Sequence, residues 1–305
     1  MSRPRIRIVD VAPRDGLQSD AVMFTTEQKA GLIHRIVDAG VDRVEVASFV
    51  NPKRVPQMAD AEAVLDAVAG DTRARYIGLV LNERGFDRAL AAHTPEVNVV
   101  VACTDTFSER NQGMNTAAAI DAATTVIRRA REAAIPCSAT LSASFGCGYE
   151  GEVPLARVLD VVERVAAAGP DEIALADTVG AAVPPQVRER FAAADEVLHR
   201  ATHPIGLRAH FHNTRNAGLA NALAAVEVGV PVIDASLGGI GGCPFAPRAT
   251  GNIPTEDVVF LLERSGYDTG VDLDRLIAAS EWLTEQLGRD TPSLVAKAGP
   301  FPPAP

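Results

Sequence analysis

The chain has 305 residues and a formal net charge of −10, a balance that argues against nucleic acid or an anionic membrane surface as its main partner. Hydrophobic residues make up 47% of the chain but aromatic residues only 5%, which favours parallel strands covered by alanine-rich helices over an aromatic-cored β-sandwich. The four cysteines form no C-x-x-C pair, and the sequence shows neither a signal-peptide core nor a run of roughly 18 apolar residues, so we expect a soluble, cytoplasmic protein without a disulfide framework.

Eight β-rich segments alternate with helical segments along the chain. The predicted strands cover residues 6–11, 43–49, 75–81, 97–103, 136–142, 172–176, 205–211 and 232–237. The predicted helices run from a cap at Thr25 or Thr26 to residue 39, then over 60–68, 86–92, 116–133, 155–168, 184–198 and 219–228. Another helix begins at Thr255, with more helical structure to about Leu287. This alternation implies right-handed βαβ units, and eight repeats predict an α/β fold, a closed (β/α)8 TIM barrel with extra C-terminal helices.

A doubly wound sheet is the alternative fold, but no G-x-G-x-x-G motif follows the first predicted strand. The glycine-rich run, residues 238–242, follows the last strand instead. We assign residues 1–298 to one barrel domain that includes the C-terminal helices, and we expect the proline-rich residues 299–305 to be a disordered tail.

His210 and His212 stand two residues apart at the end of the seventh predicted strand. On a strand, this spacing points both imidazoles to the same face, where they form half of a divalent-metal site. In a closed barrel the seventh, eighth and first strands are neighbours, so Asp15 and Asn252 can converge on the histidines. This mixed set of two imidazoles, a carboxylate and an amide oxygen suits Mg²⁺ or Mn²⁺ better than structural zinc. The alternative is one solvated histidine and one that packs in the core.

Other polar residues follow predicted strands, where such barrels carry their chemistry. Glu45 lies in a valine-rich strand, and it either serves the site or pairs with an arginine such as Arg14 to close the barrel mouth. For Asp177, capping of the next turn is a better interpretation than metal ligation. Cys243 follows four glycines, which favours a flexible loop over packing as a small buried hydrophobe. The same glycines could instead form an anion-binding nest.

Several long motifs follow one another in a fixed order. They are Val11-Ala-Pro-Arg-Asp-Gly-Leu-Gln18, Glu45 to Phe49 with Pro52-Lys53 and Val55-Pro-Gln-Met58, Phe145-Gly-Cys147 with Tyr149-Glu-Gly151, and Ala176-Asp-Thr-Val-Gly180. The longest runs from Gly238 to Asn252 and contains Cys243. Together they resemble the 3-hydroxy-3-methylglutaryl-CoA (HMG-CoA) lyase family over essentially the whole chain, to about Leu287.

The resemblance implies a metal-dependent lyase. Its substrate would be HMG-CoA or a larger 3-hydroxy-3-substituted glutaryl-CoA, which retro-Claisen cleavage splits into acetyl-CoA and a keto acid. A divalent cation would chelate the substrate's hydroxyl and carboxylate, Arg14 would stabilise the enolate, and Cys243 would act as the acid. The implied catalytic residues are Arg14, Asp15, Glu45, His210 and Cys243. The resemblance also implies a homodimer and an active-site asparagine at Asn111, although an ordinary loop asparagine would look the same. Apart from the resemblance, Lys53 and Arg54 are candidates for contacts with CoA, although surface cations are usually only solvated.

The chain departs from the family pattern around the expected acyl pocket. Asn213-Thr-Arg215-Asn216 replaces Asp-Thr-Tyr-Gly, Thr140 and Ser138 replace a tyrosine and an arginine, Ala174 replaces a serine, and Ala21 replaces a lysine. Smaller residues and a new arginine favour a larger or differently charged C3 substituent. Isohexenylglutaryl-CoA, or another branched thioester, therefore fits as well as HMG-CoA.

Two other kinds of function remain open. Claisen synthases of the isopropylmalate or citramalate type, and pyruvate aldolases, resemble this barrel and its His-x-His site. The synthases carry further C-terminal regulatory regions that a chain of this length does not hold, and they lack the cysteine loop. A catalytically silent metal-binding barrel is the alternative of another class, but drift has no reason to preserve every predicted site residue.

Overall fold

The computed structural model describes residues 3–242 and 251–302. Its strands are β1 (Arg7–Asp10), β2 (Arg43–Ser48), β3 (Arg75–Val80), β4 (Glu96–Ala102), β5 (Cys137–Ser142), β6 (Glu172–Asp177), β7 (Gly206–Phe211) and β8 (Val232–Ala235). Neighbouring strands pair in parallel in chain order, and β8 pairs with β1 to close the ring. The predicted (β/α)8 TIM barrel is therefore confirmed.

Helices follow the strands and cover the outside of the barrel. They are α1 (Thr26–Asp38), α2 (Ala61–Val68), α3 (Glu83–Ala91), α4 (Asp105–Gln112), α5 (Thr116–Glu132), α6 (Leu155–Ala166), α7 (Pro184–Leu198), α8 (Gly218–Glu227), α9 (Thr255–Arg264), α10 (Leu273–Leu287) and α11 (Val295–Ala298). The sequence predicted this order but missed α4 and α11. Phe107 is the one large apolar residue among the eight of α4, so this helix lacks an apolar period.

Two predicted caps are present. Thr25 caps α1, because its hydroxyl accepts the N–H of Gln28 at 3.2 Å while Gln28 Oε1 accepts the N–H of Thr25 at 2.9 Å. Asp177 at the end of β6 accepts the N–H groups of Ala181 and Ala182 at 2.8 and 3.0 Å. Its predicted role as a turn cap is therefore confirmed.

The N-terminal end of the barrel interior is closed by buried charges. Arg43 on β2 donates to Glu96 on β4 at 3.2 Å and to Glu172 on β6 at 3.0 Å. Both β2 and β6 are buried at every position. The opposite, C-terminal end is therefore the end that can open to a ligand.

The described part of the predicted tail, residues 299–302, contains neither helix nor strand, and Phe301 is 64% exposed. The division into a domain of residues 1–298 and a disordered tail of residues 299–305 stays a prediction. None of the helices in the described ranges is long and apolar enough to cross a membrane.

Glu256 anchors the loop that leaves β8. The N–H of Gly238 lies 3.1 and 3.0 Å from the two carboxyl oxygens of Glu256. The carboxyl is fully buried, and this burial raises its pKa to about 8. The folded protein therefore holds Glu256 protonated at neutral pH, whereas the unfolded chain releases this proton near pH 4.5.

We expect Glu256→Gln to change how stability depends on pH. The unfolded chain binds fewer protons than the folded one between the two pKa values, so this carboxyl lowers the free energy of unfolding as pH rises. Relative to the wild type, the variant should therefore gain on the order of a few kcal/mol between about pH 5 and pH 8. Urea unfolding across this range measures the gain. Glu281→Gln, at an exposed position of α10, is the control, and a Glu256→Gln profile parallel to the wild type would contradict the expectation.

Candidate active site

A tight helical turn, Ala12–Gly16, follows β1 and carries Arg14 and Asp15. The N–H groups of Asp15 and Gly16 both donate to the carbonyl oxygen of Val11, at 2.8 and 3.1 Å. The turn is thereby fixed against the end of the strand. It places Arg14 and Asp15 at the C-terminal end of the barrel, next to β8 on one side and β2 on the other.

Asp15, His210 and His212 converge at this end of the barrel. Their candidate ligand atoms all lie within 4.8 Å of one another, and the two imidazole centroids are 5.2 Å apart. Asn252 adjoins them, because its Nδ2 donates to Asp15 Oδ2 at 2.8 Å and its backbone pairs with that of His212. The structure therefore brings together the four residues predicted as metal ligands. Their ligation of a metal stays a prediction.

Nearby charges hold Asp15, and burial holds His212, in the form that binds a cation. Burial would raise the pKa of Asp15, but Arg14, His210 and His212 together lower it to about 2. Burial, and then the proximity of His210, lowers the pKa of His212 to about 4. At neutral pH Asp15 is therefore anionic and His212 is neutral, as metal coordination requires.

The hydrogen bonds of the two histidines also fit a divalent cation. Nδ1 of His210 lies 3.2 Å from Oδ2 of Asp234, so a proton on Nδ1 leaves Nε2 available as a ligand. Within the described ranges, the buried Nδ1 of His212 has no hydrogen-bond partner. A buried nitrogen without a partner is unfavourable, and a metal ion bound to this nitrogen would compensate for that cost. The residues present therefore fit a divalent metal ion.

Arg14 is held between two carboxylates. Its Nε donates to Glu45 Oε2 at 2.6 Å, and its Nη1 donates to Asp15 Oδ1 at 2.7 Å. Asn98 donates to the other oxygen of Glu45 at 3.0 Å. The pairing of Glu45 with Arg14, one of the two interpretations of Glu45, is thus present. Glu45 fixes the direction of the guanidinium, and the catalytic roles of both residues stay predictions.

A cleft of about 1140 Å³ opens over this group, which exceeds the roughly 300–1,000 Å³ of typical small-molecule pockets. Arg14, Asp15 and both histidines line it. The neighbouring part of the floor is formed by small residues, Thr140, Ser142 and Ala176. The predicted contact residue Asn111 also lines the cleft. The space beside the predicted ligands is therefore wide enough for a substrate larger than an isolated keto acid.

Cationic side chains surround the mouth of this cleft: Lys53, Arg54, Arg84, Arg88 and Arg110. Arg88 pairs with Glu62 at 2.8 Å, and Arg110 lies over the ring of Tyr149 at 4.5 Å. The side chains of Lys53, Arg54 and Arg84 form no ion pair with another described residue. The sequence predicted Lys53 and Arg54 but missed Arg84. Arg84 could have been predicted from its position, because it lies in the first turn of the helix after β3 and therefore at the C-terminal end of the barrel.

The glycine-rich loop runs directly beside the predicted ligands. At Gly241, which has φ +104°, an added Cβ would lie 2.8 Å from both Asp15 O and Asn252 Nδ2. Gly242 lines the cleft, and its carbonyl accepts the hydroxyl of Ser19 at 3.0 Å. Cys243, the predicted acid, lies outside the described residues, one position beyond Gly242.

The residues that depart from the family pattern do not all lie at the cleft. Arg215 does not line the cleft, because its Nη1 donates to the carbonyls of Val179 and Gly180, each at 2.9 Å. The expectation that Arg215 adds charge to the acyl pocket is therefore wrong, since this arginine secures the turn after β6. Ser138 and Ala174 are buried beneath the cleft floor, and of these departures Thr140 faces the cleft.

Comparisons with known proteins give a consistent picture. The HMGL-like family model matches residues 5–283. An (R)-citramalyl-CoA lyase of Chloroflexus aurantiacus is 43% identical, with 98% of this chain and 96% of that protein covered. The hydroxymethylglutaryl-CoA lyase YngG of Bacillus subtilis is 37% identical, with 95% of each chain covered. The structure of an HMG-CoA lyase from Acinetobacter baumannii, in complex with coenzyme A and 3-methylmalate, matches with a TM-score of 0.91 at 38% identity and 98% coverage of both chains.

We expect Asp15→Asn and His212→Ala each to weaken Mn²⁺ binding by at least about 100-fold, because each removes a direct ligand and changes to outer partners alone cost roughly 10–100-fold. Titration of the purified protein with Mn²⁺, followed by electron paramagnetic resonance, measures the dissociation constant. Asp87→Asn, an exposed aspartate of α3 paired with Arg129, is the control and should bind Mn²⁺ like the wild type. Wild-type affinity in both site variants would show that the ion binds elsewhere.

Proposed function

The chain belongs to the HMGL-like family, and we propose that it is a metal-dependent carbon–carbon lyase that releases acetyl-CoA from a 3-hydroxy-3-substituted glutaryl-CoA or a close analogue. The observation that carries this proposal is the convergence of Asp15, His210 and His212 in a cleft with a cationic mouth. HMG-CoA and larger C3-substituted analogues fit this description.

The site residues suit a retro-Claisen cleavage. The substrate hydroxyl loses its proton to a general base, the C2–C3 bond breaks, and the electron pair of that bond passes to the thioester as the enolate of acetyl-CoA while C3 becomes a ketone. When bound at the predicted ligands, a divalent cation acts as a Lewis acid on the hydroxyl oxygen. Arg14, held by Glu45 and Asp15, presents a fixed positive charge to the enolate. The returning proton needs an acid near Gly242, where the family resemblance predicts Cys243.

We propose Mg²⁺ or Mn²⁺ as the ion, since the four predicted ligands offer oxygen and neutral nitrogen donors rather than thiolates. The homodimer implied by the family resemblance is also part of the proposal, and sedimentation equilibrium of the purified protein tests it.

The cationic mouth supports an acyl-CoA as the form of the substrate. The chain as a whole carries a net charge of −10, so a local group of unpaired cations is a site where anionic phosphates gain attraction. Lys53, Arg54 and Arg84 supply that group at the rim of the cleft. The Acinetobacter baumannii relative was solved with coenzyme A, which agrees with this proposal.

A second candidate substrate is citramalyl-CoA, favoured by the 43% identity to the Chloroflexus aurantiacus enzyme. Citramalyl-CoA carries its carboxylate directly on C3, whereas HMG-CoA has one more methylene between them. Both compounds present a hydroxyl and a carboxylate to one cation, so the metal site alone accepts either. The cleft floor, with Thr140 and Ser142, has room for the longer arm.

We expect the Mn²⁺-loaded protein to release acetyl-CoA from at least one thioester in a panel of HMG-CoA, citramalyl-CoA and larger C3-substituted analogues. Arg14→Lys should lower kcat by roughly 100-fold or more, because the lysine cannot hold the enolate in the geometry fixed by Glu45. Detection of free acetyl-CoA and of the keto acid by liquid chromatography measures both products.

Arg73→Ala, which changes an exposed arginine paired with Asp71, is the control and should keep wild-type turnover. If the protein cleaves no thioester but condenses acetyl-CoA with a 2-keto acid, the Claisen-synthase alternative is correct. Production of pyruvate from non-thioester substrates would favour the aldolase, and metal binding without turnover of any compound would favour the silent barrel.

We expect the double change Lys53→Ala with Arg84→Ala to raise KM for the thioester by about 10-fold and leave kcat near the wild-type value, because these cations meet the phosphates and not the reacting carbons. The effect should shrink at high salt. Steady-state kinetics at two ionic strengths measures it, with Arg188→Ala on α7 as the control. An unchanged KM in the double variant would remove these residues from the CoA site.

A further inference from the structure

A second charged residue lies on the same face of β7 as His210. Arg208 precedes the histidine by two residues, and its side chain is 2% exposed. Because alternate residues of a strand share a face, both side chains point into the barrel. Arg208 does not line the cleft. Its guanidinium therefore lies beneath the floor, where it acts on a substrate only through other residues.

The guanidinium of Arg208 lies between three neighbouring strands. Its Nη1 is 3.3 Å from Glu172 Oε1 on β6, and its Nε is 3.4 Å from Asp234 Oδ1 on β8. Its Nη2 donates to the hydroxyls of Ser138 and Thr140 on β5, at 3.4 and 3.3 Å. Within the described ranges, neither Arg208 Nε nor Asp234 Oδ1 has a hydrogen-bond partner. Because both atoms are buried, the attraction between the opposite charges of Arg208 and Asp234 is what offsets their loss of hydration.

Asp234 connects Arg208 to the predicted metal site. Its other oxygen, Oδ2, lies 3.2 Å from Nδ1 of His210. A carboxylate at this distance keeps the imidazole proton on Nδ1, orients the ring and leaves Nε2 for a cation. We infer that Arg208 is a positioning residue that, through Asp234, sets the tautomer and orientation of His210, an inference that rests on the metal site of the proposed function.

Arg208 reaches the other side of the site by a second path. The hydroxyls of Thr140 and Ser138 lie 3.1 and 3.3 Å from Asn98 Oδ1, to which they donate. Asn98 in turn donates to Glu45, the carboxylate that holds Arg14. A polar path thus runs beneath the floor from the metal histidine to the predicted catalytic arginine, with Arg208 in its middle.

Arg43 provides a matched control for this role. It is also a buried arginine, with a side chain 9% exposed, and its Nη2 lies 2.9 Å from the same Glu172 Oε1. Its other ion-pair partner is Glu96 at the opposite end of the barrel, and in the described ranges it forms no hydrogen bond or ion pair with Asp234. If buried arginines only stabilised the fold, replacing Arg208 or Arg43 would have the same effect on Mn²⁺ affinity and on the His210 tautomer.

The experiment compares Arg208→Met, Arg208→Lys and Arg43→Met with the wild type. Mn²⁺ affinity is measured by electron paramagnetic resonance, and the His210 tautomer by ¹⁵N chemical shifts of the metal-free protein. We expect Arg208→Met to weaken Mn²⁺ binding by about 10–100-fold and to shift the His210 signals towards a mixed tautomer. Arg43→Met should lower the unfolding temperature but leave both readouts near the wild type.

A double-mutant cycle tests the route through Asp234. Arg208→Met combined with Asp234→Asn should bind Mn²⁺ no more weakly than Asp234→Asn alone, because the two changes remove one interaction. Should Arg208→Met fail to fold, Arg208→Lys decides the question. The lysine keeps the positive charge but cannot contact β5, β6 and β8 at once, so we expect an Mn²⁺ affinity between those of the wild type and of Asp234→Asn. Wild-type Mn²⁺ affinity and His210 shifts in the folded Arg208 variant, or equal losses in Arg43→Met, would overturn the inference.

The inference and the proposed function fail in different ways. If the wild-type protein binds Mn²⁺ but cleaves no thioester, the proposed function is wrong and the role of Arg208 stands on the affinity data. If the wild type does not bind Mn²⁺, the metal site is wrong, and the ¹⁵N shifts of the metal-free protein alone decide whether Arg208 fixes His210.

Discussion

The site depends on the burial of opposite charges within a closed ring of strands. Removing an ionised carboxylate from water costs several kcal/mol unless a partner compensates for it. Asp15 meets this condition because closure of the ring sets the turn after β1 between β2 and β8, where Arg14 and the two imidazoles at the end of β7 face it. The same closure gives Glu45 its partner in Arg14. The burial of these groups therefore depends on closure of the ring.

The charges inside the barrel are arranged in two layers that Arg208 connects. The N-terminal layer, Arg43 with Glu96 and Glu172, closes the end of the barrel opposite the cleft. The C-terminal layer contains the predicted ligands and Arg14. Barrel interiors are usually filled by apolar side chains, whose attraction has no preferred direction, whereas hydrogen-bonded charge pairs favour fixed directions. The polar interior thus stabilises the geometry that metal coordination needs, even where it adds little to the free energy of folding.

Much of this architecture could be predicted because it repeats. The alternation of strands and helices fixed the barrel, and the barrel made neighbours of His210 and Asp15, which are nearly two hundred residues apart in the chain. The polar helix α4 lacked an apolar period and was missed. Arg208 could not be assigned from the sequence, since its role depends on Asp234 and Glu172 from two other strands. Arg215 was misplaced because its loop conformation, which turns the side chain to Val179 and Gly180, has no signature in the sequence.

We propose that the turn after β1 and the end of β7 bring one carboxylate and two imidazoles onto a shared divalent cation. A crystal structure of the protein grown with Mn²⁺, with diffraction data collected at the manganese absorption edge, tests this claim most directly. We expect an anomalous peak bonded to Asp15, His210 and His212, with Asn252 beside it and with Asp234 on the far side of the His210 ring. A well-ordered structure in which these side chains point apart, with no anomalous peak between them, would contradict it.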